Sequence, residues 1–533
     1  DLTWIWDVLP TVGSGSADVH MRTLESADDA EYTLTALKVA SGASRLTGQI
    51  SVVVRPATML LREVDLAVSP ITSELMRRLS YGAVPAEVKG TVRGRLVAPI
   101  GGPLTNFVFD LLDAQFTDAT IAGAVSSVRA SGVAVMGVAP SVRNTMVEAI
   151  SVDLRSARAL APTLPAVDGV VAGRGRIVSA DLVRADVRNW ALTWTDAVGN
   201  LSRVRGDARI AYGVRVPTVN MSLAFEPFSL KALARVDTTL RVSSALSGHL
   251  TVSGSLDSLR WTGDVGADSL SRIVAEGTAM WHQDRWRIAA VGTARDVDAS
   301  AWFGRSDMPR TAISGTMNGT AAGRRDTAGV LMVDAAQASM MLVQREGAER
   351  PGFDLLASAA LIGEQFRVDS ATMHIGGVTL DARGALARRG QTVPLAGATL
   401  DTMVVSATAD SLEAVQRQLT RIAASVAAFD SSSAASLRSF ASDTLRGDAS
   451  LSGYLVGSLD DFAATLALGA RAVQVGAIRV GRVFGSLRAQ DVRSRPTFEG
   501  VATADEITGI GAIRIASAEF KVQSATPDSG RLV

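Results

Sequence analysis

The residue types that carry acid–base, metal or nucleophilic chemistry are few in this chain and lie far apart. Histidine occurs at His20, His249, His282 and His374. None of them belongs to the His-Glu-x-x-His spacing that sets two imidazoles on one helix face around zinc. There is no cysteine, so disulfides, thiolate nucleophiles and cysteine-ligated metals are excluded, a usage that suits an oxidising compartment. The lysines, Lys38, Lys89, Lys231 and Lys521, never follow a glycine, which excludes a Walker A loop. Gly173 and Gly175 in "GRGRIV" come nearest to a dinucleotide fingerprint, but the third glycine is missing and no helix opens there. No Gly-x-Ser-x-Gly elbow occurs. Asp296 and Asp298 in "RDVDAS" could face a cation; without the glycine and distal glutamate of a calcium loop they read as a solvated turn. Trp4 with Trp6, Trp190 with Trp194 and Trp281 with Trp286 come in pairs near strand spacing, suited to sugar or base stacking and better suited to packing. The expectation is a chain without catalytic residues, metal ligands or cofactor, and not an enzyme.

The elements that would position any site are set by composition and pattern. The chain has 533 residues, with 53 basic and 53 acidic side chains and a net charge of zero. That balance argues against nucleic acid as a partner, because phosphate binding leaves a basic excess. Hydrophobic residues make up 47% and the mean hydropathy is +0.22. Yet apolar runs are short, while a spanning helix needs roughly 20 mainly apolar residues. The first residue is Asp1, with no signal-like segment after it, so the sequence reads as an interior piece of a longer protein whose anchor lies outside it.

Most of the sequence has period two. "GHLTVSG" puts Leu250 and Val252 on one face, and "GGVTLDARGAL" does the same for Val378, Leu380 and Ala382. Alternation over short runs broken by Gly, Asn, Asp and Ser is the half-buried strand signal. Helical patterns do not follow each strand as a parallel α/β fold requires. The fold class is therefore all-β with a few short helices, the sheet largely antiparallel. A phrase also recurs: "SGHLTVSGSLDSL" near 248 returns as "RGDASLSGYLVGSLDDF" near 447. Anchored on glycine, it starts near Gly90, Gly169, Gly248, Gly315 and Gly447, at intervals of 79, 79, 67 and 132 residues. The last interval is close to two of 67, as if one phrase had drifted. Fixed-period self-similarity marks a repeat architecture, here one continuous β-repeat array over residues 1–533 with a helical excursion at 409–446. The glycine and the Ser-Leu-Asp read as turn and edge chemistry, with Leu256 and Leu459 as buried anchors.

Short helices introduce the phrases. Ser69 and Pro70 suggest the start of one in "SPITSELMRRL". "FSLKALARVDTTL" has leucines at helical spacing. The clearest helix runs from Asp410 to Phe429, with Asp410 and Glu413 in a capping-box pattern and an apolar stripe of Leu412, Val415, Leu419, Ile422, Val426 and Phe429. The module is a helix, a glycine-led hairpin, then several strands.

A glycine-led phrase, then "GSLDSL" or "GSLDDF", then alternating small apolar residues, each set introduced by a short helix, resembles the AsmA-like superfamily. The TamB-like proteins of diderm bacteria are the nearest branch, and "DLTWIWDVLP" followed by "SGASRLTGQISVVV" is similar to their chains as well. The likeness covers most of the chain and breaks in the interval from 315 to 447. Neither a C-terminal TamB domain nor an N-terminal anchor is recognisable. What the resemblance implies is an elongated, curled antiparallel sheet, a β-taco, whose concave face is a hydrophobic groove. It would carry phospholipid acyl chains across the periplasm from inner to outer membrane, serving envelope biogenesis, with the inner membrane reached through an anchor outside this sequence. The groove-lining candidates are the alternating apolar positions Val92, Leu96, Val171, Ile177, Leu250, Val252, Leu451, Leu455, Leu466 and Leu468; core packing is an equal reading for each one singly. Two rival readings stay open: a closed β-repeat stalk with a dry core, and a scaffold that assists outer-membrane protein assembly through its sheet edges.

Overall fold

Antiparallel strands account for most of the described residues in the computed structural model, as the period-two pattern requires. It describes residues 13–25, 29–56, 58–79, 88–98, 102–103, 106–124, 126–137, 141–160, 168–212, 216–231, 244–255, 257–267, 270–303, 310–325, 331–347, 352–387, 399–426, 445–458, 461–490 and 497–523. The chain forms two compact units, Asp1–Leu256 and Asp257–Val533. In each, strands follow one another as a meander and pair with their neighbours in sequence. In neither unit does the described pairing close the sheet into a barrel. Leu256, Leu459, Trp4 and Trp6 lie outside the described residues, as do residues 427–429 of the expected long helix and the 430–444 stretch that follows.

Among the described residues four helices interrupt the strands: α1 Ser73–Leu79, α2 Leu154–Leu160, α3 Ala299–Phe303 and α4 Leu412–Val426; residues 230–231 are also helical. Among the described residues, four long strands separate α1 from α2, and four separate α2 from residues 230–231. An even number of antiparallel strands returns the chain to the side it left. In the first unit the helices therefore all sit at one end of the strands. In the second unit six strands, from Ile313–Arg325 to Thr399–Ala409, separate α3 from α4. Among the described residues the interval from Gly315 to Gly447 thus holds six strands before α4, a hairpin more than the four that separate the other helices.

The phrase glycines lie in or beside strands at the helix end, rather than in the tips of hairpins. Gly169 has φ of 123°, and a Cβ there would come within 2.3 Å of the Thr195 carbonyl oxygen. At Gly447 φ is 115°, with the Arg471 carbonyl 2.6 Å from such a Cβ. Both positions need backbone angles and a close approach that a side chain forbids. Two helix starts also differ from the sequence reading. Ser69 and Pro70 belong to the end of the strand Thr58–Thr72, and α1 begins at Ser73. The amide of Ala414 donates to Ser411 Oγ at 3.4 Å, so the α4 cap is Ser411 in place of Asp410, while Glu413 pairs with Arg446 at 2.9 Å.

A second repeat fixes the helix end. The amide of Thr72 donates to Ser44 Oγ at 3.1 Å, Asp153 to Ser126 at 2.9 Å, Ser229 to Ser202 at 3.0 Å and Asp298 to Ser271 at 3.3 Å. Each serine lies at or beside the start of a strand, and each amide sits just before a helical segment, 27 or 28 residues later. The hydroxyl satisfies a backbone donor where the chain leaves the ladder. Ser202→Ala would leave the buried Ser229 amide without a partner, at ~1–3 kcal/mol. Thermal unfolding should show a clear loss of stability for Ser202→Ala and almost none for the exposed Ser247→Ala, a surface change worth within ~0.5 kcal/mol.

Candidate functional site

Side chains directly opposite each other on paired strands share a face of the sheet, so the register can be followed from strand to strand. In the second unit one such row begins Val265–Ile273–Ala294–Gly315–Leu342–Leu355 and continues through Met373, Leu380 and Ala407. It ends Leu451–Leu468–Gly485–Ala502–Phe520. Every position is apolar. The row one residue along points to the other face and is mixed: Asp264, Thr293, Thr316, Thr372, Asp381, Ser406, Ser452, Ser486 and Lys521 share it with Val274, Met341, Leu356, Ala467 and Val501. The first unit repeats the contrast. Ile71–Val92–Phe116–Val128–Ala149 continues through Gly173, Leu192, Val204, Phe225 and Gly248 without a polar residue. On the opposite face Arg93–Gln115–Arg129–Glu148–Arg174 is wholly polar.

The ten candidate lining residues fall on these apolar faces. Val92 is in the row just traced; Leu96 lies between Leu66 and Leu111. Ile177 and Val252 end a single row, Ile177–Val187–Ala208–Met221–Val252. Val171 opposes Trp194, and Leu250 opposes Leu223. Leu451 opposes Leu468, Leu455 opposes Ala464, and Leu466 opposes Leu487. Nine are half-buried, and Leu468 is exposed.

Half-burial is the rule on these faces. Ile288, Met317, Leu468, Phe520 and Val522 are exposed. Among the described residues the largest side chains fully closed off from solvent are serines, Ser156, Ser202 and Ser271. In a chain so rich in aliphatics, a conventional core would close off Leu, Ile and Phe first. Apolar burial instead gathers toward the strand ends away from the helices. Val64, Leu66 and Ala98 pack there with Ile50, Leu96 and Phe109, and Leu386 and Leu400 pack with Phe366, Met403, Leu455 and Phe462. Trp281 and Trp286 oppose each other across one such end, with Trp286 buried. Trp194 leans on Phe228 at 6.1 Å, a packing role. The helix ends hold much of the buried polar set, the four serines with Asp118, Asp153 and Gln418, while Glu31, Ser51 and Thr145 are buried within strands.

Several carboxylates are held by nearby arginines, on the polar faces and at the helix ends. Arg95 grips both oxygens of Asp65 at 2.7 and 2.6 Å. Arg155 holds Asp153, and Arg188 with Arg209 hold Asp186. The guanidinium hydrogen bonds of Arg95, Arg155 and Arg188 hold these carboxyls below the usual carboxylate range. A carboxyl whose folded pKa is depressed contributes stability above its unfolded pKa and loses it as pH falls through the folded value. Stability should be flat from neutral pH to about pH 5 and fall below about pH 4, the ordinary carboxylate range. Thermal scans across that window check this, and Asp153→Asn should flatten the fall. The lysine-poor, arginine-rich composition suits such two-pronged pairing.

No helix of the described residues is long and apolar enough to cross a membrane. No group of three or more His, Asp or Glu among them is arranged to hold a metal ion. His20, His249, His282 and His374 sit on separate strands, and Asp298 caps α3 by accepting from the Ser300 amide at 3.0 Å. The serine repeat is the element that sequence reasoning missed; its signal was a Ser some 27 residues before each short helix. Neither protein-family models nor curated proteins give a match to this chain.

Proposed function

We propose that the apolar faces are a lining for lipid hydrocarbon, and that the protein conducts phospholipids through the cell envelope. The observation that carries this reading is the unbroken apolar row over the strands of the second unit, half-buried along most of its length and exposed at Leu468 and Phe520. An apolar face of that extent, only half-buried, calls for an apolar occupant. Acyl chains fit because their attraction to Val, Leu, Ile and Ala is non-directional. Each CH₂ buried contributes ~0.8 kcal/mol, enough to hold a tail, while rows without polar anchors let it slide. Placement in the periplasm between inner and outer membranes, and the link to outer-membrane biogenesis, come from the AsmA-like resemblance alone.

The test is native mass spectrometry with lipid extraction on the chain purified under mild conditions from a bacterial host. Several phospholipids per chain are expected. Replacing Leu250, Val252, Leu451 and Leu466 with Asp should strip them while the far-ultraviolet strand signal persists. A folded wild-type chain free of lipid, or a quadruple variant that keeps its lipid, would overturn the reading in favour of a stalk or an assembly scaffold.

A further inference from the structure

A concavity of about 620 Å³ lies on the polar face of the second unit, over five consecutive strands from Ser258–Gly266 to Leu331–Gln344. Two register rows build it. One runs Arg260–Thr278–Ala289–Thr320–Gln337. The other runs Thr262–Glu276–Val291–Asn318. Ala289 and Val291 make an apolar floor, and Val291 is 51% exposed although it lies mid-strand and mid-sheet. Threonine hydroxyls, two carboxamides, Arg260 and, diagonally across from it, Glu276 surround it. Ser339 Oγ donates to Asn318 Oδ1 at 2.8 Å, which orients that amide.

We infer that this basin is a binding site for a neutral oligosaccharide. Its size is in the ~300–1,000 Å³ range of small-molecule sites. The apolar floor matches the C–H face of a sugar ring. The neutral donors and acceptors around it match ring hydroxyls, and Arg260 and Glu276 can each engage a vicinal pair. The alternatives fit less well. The strands Arg272–His282, Arg285–Val297 and Ile313–Arg325 are paired on both sides, so no backbone edge is open to take a peptide as an added strand. A single Arg does not make a phosphate surface. Lipid tails have the opposite, apolar face. The site is thus independent of the lipid reading, and its ligand class differs.

The experiment is a ligand-observed NMR titration of the whole chain with maltotriose and with triacetylchitotriose. At least one should bind saturably at millimolar concentration or tighter. Gln337→Ala and Asn318→Ala, both surface changes, should together weaken binding about tenfold or more, the loss of ~1.4 kcal/mol. Ala289→Arg, which fills the floor, should abolish binding while leaving co-purified lipid unchanged. Neither trisaccharide binding at about 10 mM, where even a ligand of modest efficiency per atom is seen, would overturn the inference. So would unchanged affinity in the Gln337→Ala, Asn318→Ala variant.

Discussion

Gly169→Val should be among the most damaging single substitutions in the first unit, costing about 3 kcal/mol or more from backbone strain and overlap together. Gly169 stands where the chain re-enters the sheet after α2, and its carbonyl accepts the Leu154 amide at 2.9 Å. Its φ of 123° is closed to a β-branched residue, and a Cβ would fall 2.3 Å from Thr195 O and 2.8 Å from the Trp194 ring nitrogen. Those are backbone and a packed indole, which cannot move aside cheaply. Gly199 is the control. It also has positive φ, at 91°, but nothing lies within 4 Å of its would-be Cβ. Gly199→Ala should therefore cost only the conformational part, ~1 kcal/mol. Thermal denaturation and hydrogen exchange of the strand Val170–Ala180 would measure the difference. Equal losses at both sites would mean that close packing of the strand entry is not what the recurring glycine serves.

That glycine shows how far the sequence could be read. Its recurrence at Gly90, Gly169, Gly248, Gly315 and Gly447 was visible, and so was the two-residue alternation, because a sheet with one apolar and one polar face writes its period directly into each strand. The apolar set named from alternation alone, from Val92 to Leu468, shares faces in the register for the same reason. What stayed hidden depended on contacts distant in sequence. Ser202 is one serine among many until Ser229 is brought beside it. Ser69 and Pro70 look like a helix start, but the strand outruns them because its ladder partners Thr91 and Val92 hold Thr72 and Ile71 in register. The six strands between α3 and α4 could not be counted from the sequence, since an added hairpin leaves the local pattern unchanged.

Leu386→Ala should cost ~2–5 kcal/mol, whereas Leu451→Ala should cost less than about 1.5 kcal/mol, and the contrast distinguishes an open lining from a filled core. Leu386 is 4% exposed, packed with Leu400, Phe366 and Met403 toward the strand end away from the helices. Truncation there leaves a cavity that the paired backbone cannot close. Leu451 carries the same side chain on the same apolar face, between Ala407 and Leu468, but it is only half-buried. Removing its methyls forfeits part of a transfer free energy and makes no void, because solvent or an occupant already meets it. A stalk with a dry, fully packed core predicts similar losses at the two positions. Denaturation of both variants, measured with and without bound lipid, separates the cases further. If lipid occupies the face, Leu451→Ala should also lower the stabilisation that lipid confers, since a ligand stabilises only through the contacts it makes with the folded state. Leu386→Ala, on that face but closed off from solvent and so from an occupant, should leave the ligand-dependent increment unchanged while lowering stability with and without lipid alike.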